Sequence, residues 1–328
     1  MIALFDADIL VFRAGFAAER NQWYLAYDRD DTNPDASPKE FDGFKEVETF
    51  AYKREAEARL DEILPGKYSR EEGVDYQLWA EKYLEPLENA LHNVKVMVDK
   101  ALNDLDCTEF DAKMYLSGGH NFRYDVAKTR PYKGNRDKKH RPTHEEEIRK
   151  YIRRTWDTEV TDGIEADDAL GIAQCQTYGP QDSVIVTIDK DLDMIPGLKY
   201  NFVNEIYYDV PHYEAWKNFC IQLLTGDTTD NIPGLPKVGP AKAEKYLDGI
   251  GYHEDGTPCE RADLLLEEVV RQYAARSMRQ DWFDYLKEQA ALIWIMRKPG
   301  ETGDTLIPDE WRDIAGEAEE GEIDAVLF

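Results

Sequence analysis

The chain alternates short apolar runs with longer stretches in which apolar residues recur every three or four positions. Residues 2–5, IALF, predict a short buried strand, with Asp6 and Asp8 just past its end and a helix over 9–20. Residues 27–37 are acidic and turn-rich, so a loop or insertion begins there, and residues 42–63 read as charged and helix-forming. Leu84, Leu87, Leu91, Val94, Val98, Leu102 and Leu105 fall at helical spacing and predict a helix over 84–105. A strand at 112–117 follows, then a Gly-rich basic stretch at 118–142. Next comes a helix from Thr143 or His144 to about Trp156, whose Glu145, Glu146 and Glu147 suit its first turn. A helix over 166–178, a strand at 183–188 and further strand material near 199–208 complete the alternation. From Pro211 onward the chain reads helical, interrupted by the loop NIPGLPKVGP at 231–240. This order predicts an α/β fold with a mostly parallel central sheet flanked by helices. It divides the chain into an α/β domain at 1–210 with an inserted helical segment at about 25–105, a helical region at 211–312 and an acidic flexible tail at 313–328.

Charge changes that picture. The net charge is −27, which at first sight excludes an anionic polymer as partner. Phosphates respond to fields within a Debye length of about 8–10 Å, however, so distribution outweighs the sum. Residues 121–154 hold twelve Lys and Arg against five acids, whereas 301–328 hold ten acids against one Arg. A basic segment thus sits inside an acidic body, with Tyr124 and Tyr132 in it as candidates to stack on bases. Cys107, Cys175, Cys220 and Cys259 show no metal-ligand spacing and suit reduced thiols. No run of eighteen apolar residues occurs and the first residues lack a basic leader. A cytoplasmic protein without a membrane partner is expected.

Acids recur where an open parallel sheet collects its ligands, beyond the C-terminal ends of strands. Asp6 and Asp8 follow the first strand and Asp189 and Asp191 follow SVIVTI. Glu165, Asp167 and Asp168 open a helix, and Asp227 and Asp230 occupy a turn before the Gly/Pro loop. Singly, each reads as a solvated loop acid or a helix-capping residue. Together they form the hard-oxygen set that Mg²⁺ or Mn²⁺ requires. The stretch GDTTDNIPGLPKVGPAKAEKYL at 226–247 adds tight turns and a helix start, whose backbone N–H groups suit a phosphate. Lys237, Lys242 and Lys245 supply charge there without reading sequence.

FDADILVFRA (5–14), YKGNRD (132–137), GIEADDALG (163–171), VTIDKDLD (186–193) and GDTTDNIPGLPKVGPAKA (226–243) occur in the order that resembles flap endonuclease-like 5′ nucleases. The chain looks most like their phage-encoded 5′→3′ exonuclease branch. The resemblance covers roughly 1–20 and 84–250 and implies a PIN-like fold with a C-terminal helix–three-turn–helix. It implies two Mg²⁺ or Mn²⁺ ions about 4 Å apart, which split DNA by water attack to leave 5′-phosphate and 3′-hydroxyl ends. It implies Asp6, Glu165 and Asp167 as ligands of one ion, and Asp168, Asp189, Asp191, Asp227 and Asp230 as ligands or water-holders for the other. Lys133 and Arg136 match the family's basic pair at the scissile phosphate. Tyr132, Lys138, Lys139, Gly234, Lys237, Gly239, Lys242 and Lys245 are the expected DNA contacts, with K⁺ on the loop carbonyls. Duplex ends, nicks and flaps are the implied substrates, RNA/DNA hybrids being left open, and replication, primer removal or recombination the implied setting.

One position departs from the pattern: Gly118 stands where many members carry an Asp after the second strand, and Asp8 is the nearest candidate to replace it. This motivates a second reading, a structure-specific DNA-binding protein that does not cut. A third, an aspartyl-nucleophile phosphatase, draws on the DxD of FDADILVF but gives no reason for the Gly/Pro loop or the basic segment. The tail EAEEGEIDAVLF (317–328) joins acids to terminal apolar residues and suits docking on a replication protein or on the chain's own basic strip.

Overall fold

The computed structural model describes residues 1–29, 46–63, 74–135, 141–251, 261 and 263–317. In chain order the strands are β1 (Ile2–Asp6), β2 (Glu19–Arg29), β3 (Glu46–Phe50), β4 (Val74–Leu84), β5 (Ala112–Leu116), β6 (Asp157–Val160), β7 (Ser183–Val186), β8 (Gly197–Asn201) and β9 (Ile206–Val210). The helices are α1 (Ala7–Ala17), α2 (Lys53–Ile63), α3 (Leu87–Asp104), α4 (Arg123–Val126), α5 (Glu145–Thr155) and α6 (Ala166–Ile172), then α7 (His212–Thr225), α8 (Pro240–Leu247), α9 (Asp263–Arg276) and α10 (Trp282–Ile293). Arg136, Lys138 and Lys139, three of the expected site residues, lie outside the described residues, as does 318–328, most of the acidic tail.

The chain forms two compact units. The first comprises 1–11, 95–140 and 149–328, and its six-stranded sheet has the order β6-β5-β1-β7-β8-β9. Every neighbouring pair is parallel except β8 and β9. The expected mostly parallel α/β sheet is therefore present. The central strands are mostly apolar because they are buried: Leu4 and Ile185 pack with Leu170 of α6, and all three are fully buried. From β1 the chain steps outward through β5 to β6, then crosses back to place β7 on the other side of β1. Strand order thus reverses at β1, and that is where an open sheet forms its crevice. Residues 211–312, expected as a separate region, belong to the same unit. There α7–α10 bury Phe219, Leu223, Leu265, Val269, Leu286 and Trp294 in one apolar cluster.

The second unit, 12–94 with 141–148, corrects the expectation of an inserted helical segment. It holds α2 and parts of α1, α3 and α5, but it is built on an antiparallel sheet of order β3-β2-β4. Leu25 and Tyr27 of β2 alternate onto one face and pack with Leu60 of α2, Phe50 and Leu78. In the sequence that period of two is masked by charged residues with good helix propensity, notably in 42–50. β6 also escapes sequence pattern, because only four residues, DTEV, carry it at the sheet edge.

Candidate active site

Each strand ending at the crevice delivers a polar side chain to it. Asp6 closes β1 and is 3% exposed; Thr187 follows β7 and donates to Asp6 Oδ2 at 2.9 Å. The same hydroxyl accepts the N–H of Asp189, whose Oδ1 in turn accepts the N–H of Asp191. Gln222 of α7 donates to Asp191 Oδ1 at 3.1 Å. On the far side Glu165 stands at the start of α6, where Asn121 and Lys133 donate to its Oε1. The Tyr132 hydroxyl lies 2.8 Å from both Glu165 Oε2 and Asp230 Oδ2, and Lys133 Nζ lies 3.7 Å from Asp230. Glu165, Asp167, Asp191, Asp227 and Asp230 line one cleft.

These acids repel one another. Burial, then Asp8 and Asp189, push the Asp6 carboxyl up to about 7. Burial, then Asp189, Asp227 and Asp230, push Asp191 up to about 7. Asp167 is held well above the usual carboxylate range by burial and by Asp6, Glu165 and Asp189. Among the described residues, no hydrogen-bond donor reaches the Asp167 carboxylate. Four segments thus bring eight acids into one field, with Lys133 the cation placed between two of them. An all-oxygen donor set with uncompensated negative charge fits a hard divalent cation. Among the described residues no three acids converge as a closed cage. Mg²⁺ ordinarily takes one or two carboxylates and completes its sphere with water and phosphate.

Three expected ligands or contacts are engaged differently. Asp168 is fully buried, and its oxygens accept Arg123 Nη1 at 2.6 Å and Nη2 at 2.8 Å, the Met296 N–H and the Glu165 N–H. Its lone pairs are spent on a structural ion pair. Tyr132, expected to stack on bases, is 4% exposed and packs in the helical core, while Tyr124 beside it is 46% exposed. Gly234 does not offer its N–H to a phosphate, since that group donates to Gln289 Oε1 at 3.3 Å. Arg123 itself escapes sequence reasoning, because nothing in its spacing separates it from the other cations of the basic segment.

Asp8 and Gly118 account for each other only in part. Asp8 Oδ2 accepts the Ser117 N–H at 2.9 Å and Oδ1 accepts Arg149 at 2.7 Å. Arg149 also donates to the Ser117 carbonyl, so Asp8 ties the end of β5 to β1. It adds to the field at Asp6, yet an arginine compensates it. Gly118 packs its backbone on Thr161, and a Cβ there would overlap the Thr161 carbonyl oxygen. Gly118→Asp is therefore expected to destabilise the protein by about 1–3 kcal/mol and to leave cleavage no faster. Thermal melts and single-turnover rates check this, and a faster, equally stable variant would show that the position is an open ligand slot.

The turn from α7 to α8 is held by backbone geometry. Gly226, Asn231, Gly234 and Lys237 all have positive φ, between 63° and 73°. Gly226 and Gly234 face each other so closely that a Cβ on either would overlap the other's backbone nitrogen, which restricts both to glycine. Asp227 and Ile232 exchange both backbone hydrogen bonds, and Tyr285 donates to the Gly234 carbonyl. Lys237, Lys242, Lys245 and Gly239, which caps α8 ahead of Pro240, are exposed.

No family model matches the chain. Over 102 residues, 28% of this chain and 10% of the other, it is 34% identical to DNA polymerase I of Rhizobium leguminosarum. The chain thus spans about a tenth of that curated relative. T5 5′-exonuclease with bound zinc superposes with a TM-score of 0.40 at 16% identity, covering 69% of this chain and 90% of that one. The catalytic core of Rad2 in complex with DNA substrate gives 0.37 at 15% identity, covering 69% and 84%. No helix among the described residues is long and apolar enough to cross a membrane.

Proposed function

We propose that the chain is a metal-dependent 5′ nuclease of the flap endonuclease-like superfamily, hydrolysing DNA phosphodiesters to leave 5′-phosphate and 3′-hydroxyl ends. The observation that carries this reading is the cleft in which Glu165, Asp167, Asp191, Asp227 and Asp230 meet beside Lys133 at the strand-order reversal. Asp6, Asp167, Asp189 and Asp191 are the residues to hold two Mg²⁺ or Mn²⁺ ions with Glu165, Asp227 and Asp230. When bound, such ions generate hydroxide near neutral pH and stabilise the departing oxygen. Thr187 and Gln222 fix the rotamers of Asp6 and Asp191, so these carboxylates need little rearrangement. The Tyr132 hydroxyl, within 2.8 Å of both Glu165 and Asp230, donates its one proton to either. Lys133 turns its ammonium from these acids to the scissile phosphate and offsets the charge that builds there. Lys133→Ala is expected to slow single-turnover cleavage about a hundredfold or more, the scale of losing one electrostatic stabiliser. An effect confined to DNA affinity would make it an ordinary anchor.

The α7–α8 turn serves as the helix–three-turn–helix, with its carbonyls suited to K⁺ and its exposed lysines gripping the duplex backbone. Lys242→Glu or Lys245→Glu is expected to weaken binding equally for all sequences and to lower the log–log salt slope by about 0.9 for each phosphate no longer engaged. Sequence-selective weakening would contradict backbone recognition.

The decisive test offers end-labelled duplex, nicked, flapped and RNA/DNA substrates with Mg²⁺, Mn²⁺ or a chelator. Metal-dependent release from the 5′ end with 5′-phosphate products supports the reading; no cleavage with either ion overturns it. The packed Gly118 backbone favours one alternative, a structure-specific DNA-binding protein that binds these substrates and never cuts them. Work in DNA replication, primer removal or recombination in a phage-infected cell is the setting that suits this activity.

A further inference from the structure

The connection from β7 to β8 carries Asp189 and Asp191, and it ends in a 3₁₀ turn, Asp191–Met194, of four residues. Such a short piece has poor hydrogen-bond geometry, and its last carbonyls find no partner within it. Here three successive carbonyls each accept a side chain from a different element. Asn218 Nδ2 of α7 donates to the Asp193 carbonyl at 3.1 Å. Arg297 Nη2, in the segment after α10, donates to the Met194 carbonyl at 2.6 Å. Lys199 Nζ of β8 donates to the Ile195 carbonyl at 2.8 Å. Two of these three donors are buried cations. Lys199 also donates to Gln174 Oε1 at 2.8 Å, and the Gln174 amide donates in turn to the Ser183 and Leu198 carbonyls of β7 and β8. The Arg297 guanidinium lies 4.4 Å from the centre of the Trp294 ring and 5.0 Å from that of Trp216.

Cations suit the carbonyl end of a helical turn, yet burial pushes Lys199 down to about 7 and Arg297 down to about 10. Apolar side chains would fill the same space without that desolvation cost. Packing alone therefore does not account for the arrangement. The turn, in contrast, needs restraint, because Asp191 at its head is opposed by Asp189, Asp227 and Asp230. Gln222 steadies the Asp191 carboxylate itself, but the backbone behind it is held only from the far end of the turn. We infer that Asn218, Arg297 and Lys199 are positioning residues, which clamp the 193–195 carbonyls and so present Asp189 and Asp191 ready-placed to a divalent cation. This rests on the proposed function. None of the three is among the residues that line the cleft, so they act through the backbone and not on the cation. Outer partners of this kind typically govern metal affinity by about ten- to a hundredfold.

The test uses the full chain and two variants, Asn218→Leu and Lys199→Met, each of which removes one donor at similar size. Val98→Ala, a truncation at a fully buried position of α3, serves as the control for stability alone. Amide hydrogen exchange is followed in the metal-free proteins at Asp191, Asp193 and Ile195, whose N–H groups are all bonded within the turn. Both clamp variants are expected to lose protection there and to keep it in β1 and β7. Calorimetric titration is expected to show Mn²⁺ bound about tenfold more weakly. In cleavage assays the half-saturating Mn²⁺ concentration rises by the same factor, while the rate at saturating Mn²⁺ stays close to that of the wild type. Val98→Ala lowers the melting temperature and moves none of these. Should Lys199→Met fail to fold, Asn218→Leu, altered at a half-buried position, decides alone. Unchanged Mn²⁺ affinity in the clamp variants, with or without loss of protection, overturns the inference, as does an equal loss in Val98→Ala. Failure of the wild-type chain to bind Mn²⁺ removes the proposed function as well.

Discussion

Asp167→Asn is expected to abolish cleavage and, in the metal-free protein, to raise the melting temperature. Asp167 lies among Asp6, Glu165 and Asp189 with no hydrogen-bond donor among the described residues, so burial and these acids oppose its charge in the folded state more than Lys133 favours it. Removing the charge relieves repulsion that the unfolded chain does not feel. Each kcal/mol gained raises the midpoint by roughly 1.5 °C for a chain of this size. The same change removes a cation ligand, and a rate loss of about a hundredfold or more follows. Asp191→Asn extends the test to pH. Its carboxyl ionises at about 7 in the fold against 3.8 in the open chain. Between these values the unfolded state is ionised and the folded state resists ionisation, so the wild-type protein loses stability as pH rises through that window. The variant's advantage is therefore absent near pH 4, complete above about pH 7 and erased by added Mg²⁺. A stability that falls in both variants while turnover persists would make these acids structural.

That opposition between stability and function explains what the sequence disclosed. The acids are conspicuous as residue types in short motifs, and strand ends are easily placed from runs such as IALF and SVIV, so the carboxylate cluster follows from pattern alone. Partner choice does not. Asp167 and Asp168 are adjacent and chemically identical, yet one faces the cleft and the other is buried against Arg123, because consecutive helical positions point about 100° apart. Only the tertiary position of 292–296 makes the difference visible. Tyr132 misleads for a related reason: it lies in a basic segment, but its ring belongs to the helical core. In the second unit the local propensity of charged residues conceals a sheet whose cohesion comes from Leu25, Tyr27 and Leu60.

Asp168→Asn is expected to have the opposite signature to its neighbour: a large loss of stability with metal affinity nearly unchanged. Asp168 and Arg123 are 0% and 2% exposed, so neither charge has water to fall back on. Burial works against the Arg123 charge, but Asp168 and Glu165 hold its ionisation above the usual arginine value. The guanidinium also donates to the carbonyls of Leu292 and Trp294, and Asp168 accepts the Met296 N–H. The pair thereby anchors the segment after α10 to the start of α6, the helix that carries Glu165 and Asp167. Breaking a buried pair by removing one partner costs about 3–5 kcal/mol, because the survivor is left uncompensated. Arg123→Ala is expected at the upper end, since it also frees two carbonyls, whereas the double variant Arg123→Met/Asp168→Leu regains part of the loss by removing both charges. Denaturant melts measure the first effect and calorimetric titration with Mn²⁺ the second. Weakened Mn²⁺ binding in Asp168→Asn at unchanged stability would return Asp168 to the metal site and make its bond to Arg123 secondary. Retained binding in a destabilised variant would instead show that two adjacent aspartates on one helix perform separate tasks, one holding the cation and the other holding the helix that presents it.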